Sequence, residues 1–402
     1  MPTPHAVVVG AGIGGLTAAV ALHQRGWRVT VLERATSLEP VGAGIGLCPN
    51  AQRALDVIGL GDRVRELAVW RGSLGIRTPN GRWLVRADTS DAEERFGGTL
   101  VPVHRATLVD ILRSGLREDS LRTGTEARLG DRGSADRRSV VATPDGDIEA
   151  DLVIGADGIN SGVRQTLFPA HPKPVYSGFT AWRLVVPAPE RPFHPHETWG
   201  RGGVWGTQPL RGGRVYAYAT AVLPEGGRAP DSEMAELRRR FSDWHDPIPD
   251  VLAAADPERI LRNDVRHMTV PLPAYHRGRV ALLGDAAHAM TPSLGQGGNQ
   301  AIEDAIVLAH HAEPGRDFTQ ALASYSHDRL PRTTAIVCRA ARTARMNHLT
   351  SAPALALRDM LIAGVSRLGP NLMLRSFESI ADWQPPQHTY AAGTQDNQPA
   401  RQ

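Results

Sequence analysis

The sequence predicts an α/β protein in which a parallel-sheet domain is interleaved with a second, β-rich domain and followed by a C-terminal helical region. Three kinds of segment predict this architecture. Apolar runs such as "AVVV", "LVIG" and "RVALLG" are typical of parallel strands that are buried on both faces, and each leads into a glycine-rich turn. Residues 175–266 instead place aromatic residues in β-like segments between glycine and proline turns. Apolar residues at helical spacing follow from residue 302 onward.

These changes of pattern also predict the domain boundaries. At 402 residues the chain is longer than one average domain, so two or three units, or one large interlocked fold, are expected. Pro385 and Pro386 introduce a polar tail that is expected to be disordered. The predicted parts are the parallel-sheet domain at residues 1–70, 100–170 and 267–315, the β-rich domain at 71–99 and 171–266, the C-terminal helices at 316–384 and the tail at 385–402.

The composition excludes several classes of protein. Hydrophobic residues make up 41% of the chain and charged residues 22%, as in an ordinary globular protein with a large core. The 45 basic residues alternate with 42 acidic ones and leave a net charge of +3, whereas a nucleic-acid binder clusters its basic residues. No uncharged apolar run approaches the ~20 residues of a membrane span. Cys48 and Cys338 lack metal or redox spacing, and the chain enters a strand without room for a signal peptide, so a cytoplasmic, metal-free protein is expected.

The glycine turn near the N-terminus predicts a dinucleotide site. Gly10, Gly12 and Gly15 form the pattern G-x-G-x-x-G directly after the first strand and at the start of an apolar helix. A second strand ends at Glu33, 18 residues after Gly15. This spacing is close to the ~20 residues expected for a carboxylate that binds a ribose hydroxyl. The order of these elements favours a pyrophosphate bound at the helix N-terminus. The alternatives are that the glycine-rich turn binds no ligand and that Glu33 is an ordinary acidic residue at the end of a strand.

Several further segments lie between the first glycine turn and the aromatic stretch at residues 175–266. Residues 41–50, "VGAGIGLCPN", form another glycine-rich turn before a helix, and residues 72–86 predict a β-hairpin around "PNG". Arg105 begins the next predicted helix, where the helix dipole opposes a cation, so an anionic neighbour would explain it. A solvated arginine is the alternative. Strand candidates follow at residues 121–129 and 139–150.

The aromatic residues of the β-rich segment have two possible roles. Side chains on one face of a sheet can form a core, or they can line a ligand pocket. Tyr216 and Tyr218 share one face of a predicted strand because side chains alternate along a strand. Both roles stay open for Trp182, Trp199, Trp205, Tyr216 and Tyr218.

The stretch "GDAAHAMTPSLGQGGNQAIEDA", residues 284–305, predicts a second contact with the same cofactor. It follows a parallel-type strand, so its turn is expected at the same edge of the sheet as the first glycine turn. Asp285 could accept hydrogen bonds from hydroxyl groups, and the amides of residues 297–299 could stabilise a developing negative charge. NAD has no group that needs this second site, whereas FAD has a ribityl chain and a ring that is anionic when reduced. The two turns together therefore favour FAD.

Three motifs, "GAGIGG", "GADGINSGVR" and "GDAAHAMTPSLGQGGNQAIEDA", resemble those of single-component flavoprotein monooxygenases of the para-hydroxybenzoate hydroxylase type, in the salicylate-hydroxylase-like branch. The resemblance covers roughly residues 6–347 and implies a Rossmann-like, glutathione-reductase-like FAD-binding domain. It implies that the first motif binds the ADP half of FAD. Asp157 in the second motif would close the site and be tied to use of the nicotinamide cofactor, and Asp285 would bind the ribityl hydroxyls. Arg105 matches the family's arginine near the flavin phosphate and ribityl region.

The resemblance also implies the reaction. NADH or NADPH would reduce non-covalently bound FAD, O2 would add to the reduced flavin, and the resulting C4a-hydroperoxide would transfer one oxygen atom to a bound substrate. The flavin performs this chemistry, so no catalytic dyad or triad is required. For His288 within the third motif, a structural role is favoured over the alternative role of a base. The expected substrate is an aromatic or polycyclic small molecule, which a monomer or homodimer would hydroxylate or epoxidise.

The residues and the resemblance together predict the site. Its β-rich part is expected to roof the flavin and bind substrate. Pocket candidates are Arg183, Trp205, Tyr216, Tyr218 and Pro292, of which Arg183 could bind a carboxylate or phenolate. The predicted contacts with FAD are Gly12, Ile13, Gly14, Gly15, Glu33, Arg34, Ala43, Gly44, Arg105, Ala127, Asp157, Asp285, Gly295, Gly297, Gly298 and Asn299.

Three other functions share part of this pattern. A flavin-dependent halogenase has the first motif, but its W-x-W-x-I-P stretch is missing here, and Lys173, the only lysine, lies in the wrong region. A flavin reductase or dehydrogenase without oxygen transfer would carry the same FAD motifs. A non-catalytic FAD-binding protein is the third alternative, and the intact second and third motifs count against it. Consumption of NAD(P)H in air, with and without candidate substrates, distinguishes these functions.

Overall fold

The computed structural model describes residues 3–38, 43–70, 72–315, 318–367 and 378–390. Strands β1 to β18 are, in chain order, His5–Val9, Arg28–Leu32, Gly44–Leu47, Ser73–Arg77, Trp83–Asp88, Val101–His104, Leu121–Arg122, Arg128–Asp131, Ser139–Thr143, Gly146–Ala150, Leu152–Gly155, Val175–Pro187, His196–Trp199, Gly203–Leu210, Arg214–Val222, Leu261–His267, His276–Arg277 and Val280–Leu282. Helices α1 to α12 are Ile13–Gln24, Pro49–Val57, Gly61–Arg65, Thr89–Phe96, Arg105–Arg113, Gly162–Leu167, Glu233–Phe241, Ile248–Ala253, Asp285–His288, Gly297–His311, Phe318–Asn347 and Ala352–Arg367. Three short 3-10 helices are Glu118–Ser120, Pro257–Arg259 and Pro292–Leu294.

The first large sheet has the strand order β17-β18-β11-β1-β2-β7. Neighbours from β18 to β7 run parallel, and β17 adds an antiparallel edge. β1 is buried along its whole length, and α1, which is apolar on almost every side, is buried from Ile13 to Leu22. α1 packs against both β1 and α10. The prediction of an α/β fold with parallel strands buried on both faces is confirmed.

The second large sheet has the order β16-β12-β15-β14-β13-β4-β5 and is antiparallel except for the pair β4 and β13. Its strands come from two separate stretches, residues 73–88 and 175–267. Both stretches lie within the predicted β-rich domain except for His267, the last residue of β16, and the domain boundaries themselves stay a prediction. The hairpin predicted around "PNG" is the β4–β5 pair.

The two faces of the second sheet have different surroundings. One face packs against α7 and α8 in a hydrophobic core that includes Trp182, Leu184, Trp205, Ala217 and Phe241. The alternate residues, among them Arg183, Tyr216 and Tyr218, point to the opposite face. This second face packs against β3 and α11.

The C-terminal helices cover one side of this junction. α11 packs against α10 and the 3-10 helix Pro292–Leu294, and α12 lies against β5. Within the described ranges, no helix combines the length and apolar character needed to cross a membrane.

Two local expectations differ from the structure. Residues 121–129 form not one strand but two short ones, β7 and β8, because the intervening chain bonds to the end of β2 through Gly124 and Thr125. The predicted disorder does not begin at residue 385. Tyr390 is buried, its N–H donates to the Val57 carbonyl at 3.0 Å, and its hydroxyl donates to the Ile306 carbonyl at 2.5 Å. Residues 391–402 of the predicted tail lie outside the described residues.

Candidate active site

Three turns meet at one edge of the first sheet. β18, β11 and β1 are neighbouring parallel strands, so the turns that follow them emerge together at the carboxyl ends. Gly10 has a φ of 104°, and a Cβ there would lie 2.5 Å from the carbonyl oxygen of Ala156. A Cβ at Gly15 would lie 2.0 Å from the carbonyl oxygen of Gly10. Glycine at these positions therefore lets the first turn pack against the turn after β11.

The N-terminus of α1 is open to an anion. Its N-cap, Gly12, provides no side-chain cap, and the first turn carries no acidic residue. A Cβ at Gly12 would meet no described heavy atom within 4 Å, whereas one at Gly14 would lie 2.6 Å from Leu283. The first amides of α1, including that of Ile13, therefore combine free space with the positive end of the helix dipole.

Glu33 lies beside the first glycine turn. Its carboxylate accepts the backbone N–H of Ala11 at 2.8 Å and that of Ala35 at 2.9 Å. Arg34 is exposed next to it. Ala127 belongs to the neighbouring segment, in which the N–H of residue 125 donates to the Glu33 carbonyl at 2.8 Å. These residues form one side, next to β2, of a cleft that runs along the carboxyl-end edge of the first sheet.

Asp285 lies on the β18 side of the same edge. Its side chain is exposed to the cleft, but protein surrounds it on most sides, and this desolvation raises its pKa. His288, Arg105, Arg164 and Arg183 oppose the rise, so all four basic groups act on one carboxylate. A carboxylate in this position is a strong acceptor for hydroxyl groups.

Arg164 connects the second motif to the third. Its buried guanidinium donates to the carbonyl of Asp285 at 3.4 Å and to that of Ala286 at 3.0 Å. Asp157 accepts the N–H of Val163 at 3.1 Å, and its Oδ1 is buried without a hydrogen-bond partner among the described residues. Asp157 was predicted from the sequence and Arg164 was not, although it is the last residue of "GADGINSGVR".

A buried ionic network holds the third turn from behind. Asp304 on α10 accepts the N–H of Gly284 at 2.9 Å and lies 2.5 Å from Nε2 of His288. Arg329 on α11 binds Asp304 at 2.7 Å and Glu303 at 2.6 Å. The network gives His288 a partner on the protein side of the turn, which is consistent with the structural role expected for it.

The N-terminus of α10 faces Asp285. A Cβ at Gly297 would come no closer than 3.8 Å to Oδ1 of Asp285 and 4.0 Å to Cγ of Met290. Pro292 begins the preceding 3-10 helix, and Gly295 ends it with a left-handed φ of 62°. The space beside Gly297 is therefore open, and α10 has no side-chain cap to fill it.

Two other residues at the start of α10 contact protein. The Asn299 side chain accepts the N–H of Cys48 at 2.8 Å and donates to the carbonyl of Gly46 at 2.9 Å. A Cβ at Gly298 would lie 2.4 Å from Cδ1 of Ile45. Both residues thus join α10 to β3, and only the backbone of Asn299 is left for the predicted cofactor contact.

The second sheet meets the cleft at Gly44. The preceding carbonyl, of Ala43, accepts the N–H of Arg105 at 2.9 Å. A Cβ at Gly44 would lie 2.4 Å from the ring of Tyr216, so this ring lies directly on the backbone of β3. Burial raises the pKa of Tyr216, and Arg183 and Arg105 oppose that rise. Arg105 and Arg183 thus act on both Tyr216 and Asp285, so this face of the second sheet lies near the third turn.

A partly buried carboxyl group that was not predicted lies on the same face of the sheet. Tyr218 donates its hydroxyl to Oε1 of Glu197 at 2.5 Å, and Trp199 donates Nε1–H to Oε2 at 2.8 Å. Burial raises the pKa of Glu197, and these two donors lower it. Glu197 and Trp199 alternate within "HETW", so recognition of that segment as a strand would have put both on one face.

Trp182 and Trp205 lie on the opposite face. Both are fully buried in the core beneath α7 and α8, and Trp205 donates Nε1–H to Thr207 at 2.9 Å. The prediction that Trp205 lines the pocket is wrong. Gly206, not Trp205, pairs with Tyr218, so residue 205 points away from the cleft.

The cleft extends along the edge of the first sheet. Glu33 follows β2 and Asp285 follows β18, and these strands are three inter-strand spacings apart, roughly 14 Å. One ligand that contacts both acids must therefore be long. Over the ranges that the structure describes, His, Cys, Asp and Glu side chains form no group of three that could hold a metal ion.

Known proteins resemble this chain along most of its length. A family model described as an FAD binding domain matches residues 3–340. The chain is 36% identical over 362 residues to the aurachin C monooxygenase/isomerase of Stigmatella aurantiaca, which covers 90% of this chain and 94% of that protein. It is 34% identical over 349 residues to an FAD-dependent urate hydroxylase of Klebsiella pneumoniae, with 85% and 90% covered. The crystal structure of Klebsiella pneumoniae HpxO complexed with FAD and uric acid matches with a TM-score of 0.85 at 30% identity, and covers 94% of this chain and 97% of that one.

Proposed function

The chain belongs to the FAD-binding-domain family and is an FAD-dependent monooxygenase of aromatic compounds, and from this premise we propose that NADH or NADPH supplies the electrons and O2 the transferred oxygen atom. When bound, FAD supplies the redox chemistry of hydride acceptance, O2 activation and oxygen transfer. The protein must then bind and orient the reactants and exclude water.

The residues of the cleft fit FAD. The open N-terminus of α1 would bind the pyrophosphate, and Glu33 would accept hydrogen bonds from the ribose hydroxyls of the ADP half. Asp285 would accept hydrogen bonds from the ribityl hydroxyls. The observation that carries this assignment is the exposed Asp285 carboxylate, three strands away from Glu33 and surrounded by basic groups. A single extended cofactor accounts for both acids.

The start of α10 would lie under the flavin ring. The open space beside Gly297 can take a flat ring, and Pro292 would form the wall that faces the substrate. The helix dipole would favour negative charge on the reduced ring by ~0.3–1 kcal/mol. A bound ring would displace water from the exposed Asp285 carboxylate, and this exclusion of water would strengthen these electrostatic effects.

The substrate would lie between Pro292 and the cleft-facing side of the second sheet. Tyr216 and Tyr218 offer flat aromatic surface there, and their ring centroids are 5.5 Å apart. Arg183 donates to Asn263 at 2.9 Å and forms no ion pair with a described residue, so it can also bind a phenolate or carboxylate oxygen. We propose ring hydroxylation of an aromatic small molecule in this pocket.

Oxygen transfer is tested with the purified protein. It should be yellow and release its flavin on denaturation, because the flavin is bound non-covalently. It should oxidise NADH or NADPH in air faster when an aromatic substrate is added, and the product should carry one oxygen atom from labelled O2. Substrate-stimulated NAD(P)H oxidation that yields a reduced substrate and no oxygenated product would instead indicate a reductase.

We also propose a cytoplasmic location. Cys48 and Cys338 are free thiols, which a reducing compartment maintains. Fractionation of the producing cells measures this directly, and recovery of the protein outside the cytoplasm would contradict it.

A further inference from the structure

Four residues lie in one row across the cleft-facing side of the second sheet. Strand pairing places Arg183 opposite Tyr218, Tyr218 opposite Gly206 and Gly206 opposite Glu197. Side chains at paired positions point to the same face. The row therefore has a guanidinium at one end, a carboxyl group at the other and a tyrosine between them.

Gly206 makes room for the ring of Tyr218. A Cβ at this position would lie 2.1 Å from Cζ of Tyr218 and 2.5 Å from its hydroxyl oxygen. With glycine, the ring crosses the strand and its hydroxyl reaches Glu197 at 2.5 Å. The glycine thus explains how Tyr218 contacts a residue two strands away.

When Glu197 is ionised, the hydrogen bonds around it have a fixed direction, because a carboxylate can only accept. The indole of Trp199 can only donate, so Oε2 of Glu197 is an acceptor. Oε1 accepts the single proton of the Tyr218 hydroxyl. A hydroxyl whose proton is used in this way has only lone pairs left for another partner.

We propose that Glu197 determines substrate specificity: by holding the Tyr218 proton, it makes the Tyr218 oxygen an acceptor that selects aromatic substrates with an N–H or O–H donor. This role rests on the proposed function, because it requires an aromatic substrate in the cleft. A substrate that presents only an acceptor there would leave the Tyr218 oxygen opposite another lone pair. Such a mismatch is costly in a desolvated pocket.

Replacement of Glu197 by Gln should reverse the direction of these bonds. The Trp199 N–H requires the amide oxygen on its side, so the amide NH2 faces Tyr218 and donates to its oxygen. The Tyr218 proton is then free to point into the cleft. Glu197→Gln keeps the size of the side chain, so a change of ligand preference would report hydrogen-bond direction and not a lost contact.

The experiment measures ligand binding to the oxidised holoenzyme through changes in its flavin absorbance. The probes are matched pairs in which methylation removes one donor: 2-naphthol and 2-methoxynaphthalene, 3-hydroxybenzoate and 3-methoxybenzoate, and indole and N-methylindole. In at least one pair, wild-type protein should bind the member that carries the donor about 10-fold or more tightly than the methylated member. Glu197→Gln should remove this preference or favour the methylated member, and Tyr218→Phe should bring the ratio of the two affinities close to one.

Trp199→Phe is the matched control within the cluster. It removes the other hydrogen bond to Glu197 but leaves the bond from Tyr218, so the donor preference should persist. Equal binding of both members in wild type, or an unchanged ratio in Glu197→Gln, would overturn the role of Glu197 while leaving the proposed function intact. A flavin spectrum that responds to none of the six probes, together with no substrate-stimulated NAD(P)H oxidation, would contradict both.

Discussion

Replacement of Gly297 by Val tests whether the flavin ring lies at the start of α10. A Cβ at Gly297 would be 3.8 Å from Asp285 and 4.0 Å from Met290, both ordinary van der Waals distances. The residue has no left-handed φ, so the backbone accepts a side chain without strain. A glycine makes a helix ~0.5–1 kcal/mol less stable than an alanine does, so a side chain at position 297 should stabilise α10. Valine should provide only part of this stabilisation, because its β-branched side chain loses rotamer freedom in a helix. The protein without cofactor should therefore be at least as stable as wild type.

The expected cost of this substitution lies in the holoenzyme. Valine would add its side-chain carbons to space that the ring is proposed to fill. Overpacking of a filled site costs ~1–3 kcal/mol. At about 1.4 kcal/mol per tenfold change, FAD affinity should fall roughly 5- to 150-fold. Flavin reduction by NAD(P)H should slow as well, because the ring is displaced from its position.

FAD content, titration of the apoprotein with FAD and thermal unfolding of both forms measure these effects. Gly364→Val is the matched control, since Gly364 lies within α12 and a Cβ there would meet no described heavy atom within 4 Å. It should leave FAD affinity unchanged. Wild-type FAD affinity and reduction rate in Gly297→Val would refute the ring position. Equal destabilisation of the apoprotein would refute the claim that the space is open.

Three further substitutions test other parts of the structure. Asp285→Ala should weaken FAD binding by ~1.5–3 kcal/mol, because a charged acceptor is lost, and unchanged affinity in an apoprotein titration would exclude Asp285 from the contact. Trp205→Ala should lower the free energy of unfolding by ~3–5 kcal/mol in a denaturant titration, and lost ligand binding at wild-type stability would return Trp205 to the pocket. Burial alone raises the pKa of Asp304, but His288 and Arg329 outweigh it and hold the pKa below its ordinary value. The stability that Asp304 contributes should therefore be complete above about pH 4 and be lost as the pH falls below that value. Asp304→Asn should make the free energy of unfolding less dependent on pH in this range. The same pH dependence in both proteins would contradict the lowered pKa of Asp304.

Features that depend on the backbone near them in sequence could be predicted. The first glycine turn and the third motif were expected at one edge because parallel strands end together, and β1 and β18 do flank β11 in the same sheet. The hairpin around "PNG" was predictable because such a turn determines its own pairing. These signals lie within a few residues of the structure they predict.

Features that depend on distant packing could not be predicted. Alternation along β15 put Tyr216 and Tyr218 on one face, but it could not show which face α7 and α8 would cover. For that reason Trp205 was assigned to the pocket and lies in the core. Glu197 escaped notice because "HETW" is short and carries no glycine or apolar signature of a site. Its importance depends on Tyr218, whose ring reaches it across a glycine of the intervening strand.

The hydrogen bonds from Arg164 to the backbone of the third motif make the second and third motifs dependent on each other, which matters when either motif is exchanged between homologues. Its guanidinium holds backbone carbonyls at residues 285 and 286, a group that every amino acid carries. The side chain at position 285 can thus be replaced without loss of these hydrogen bonds. A substitution at residue 164, by contrast, removes the bonds that hold the backbone of Asp285, although the two residues are 121 positions apart in the chain. A chimaera that combines residues 155–164 of one homologue with residues 284–305 of another must preserve this fit as well as each cofactor contact.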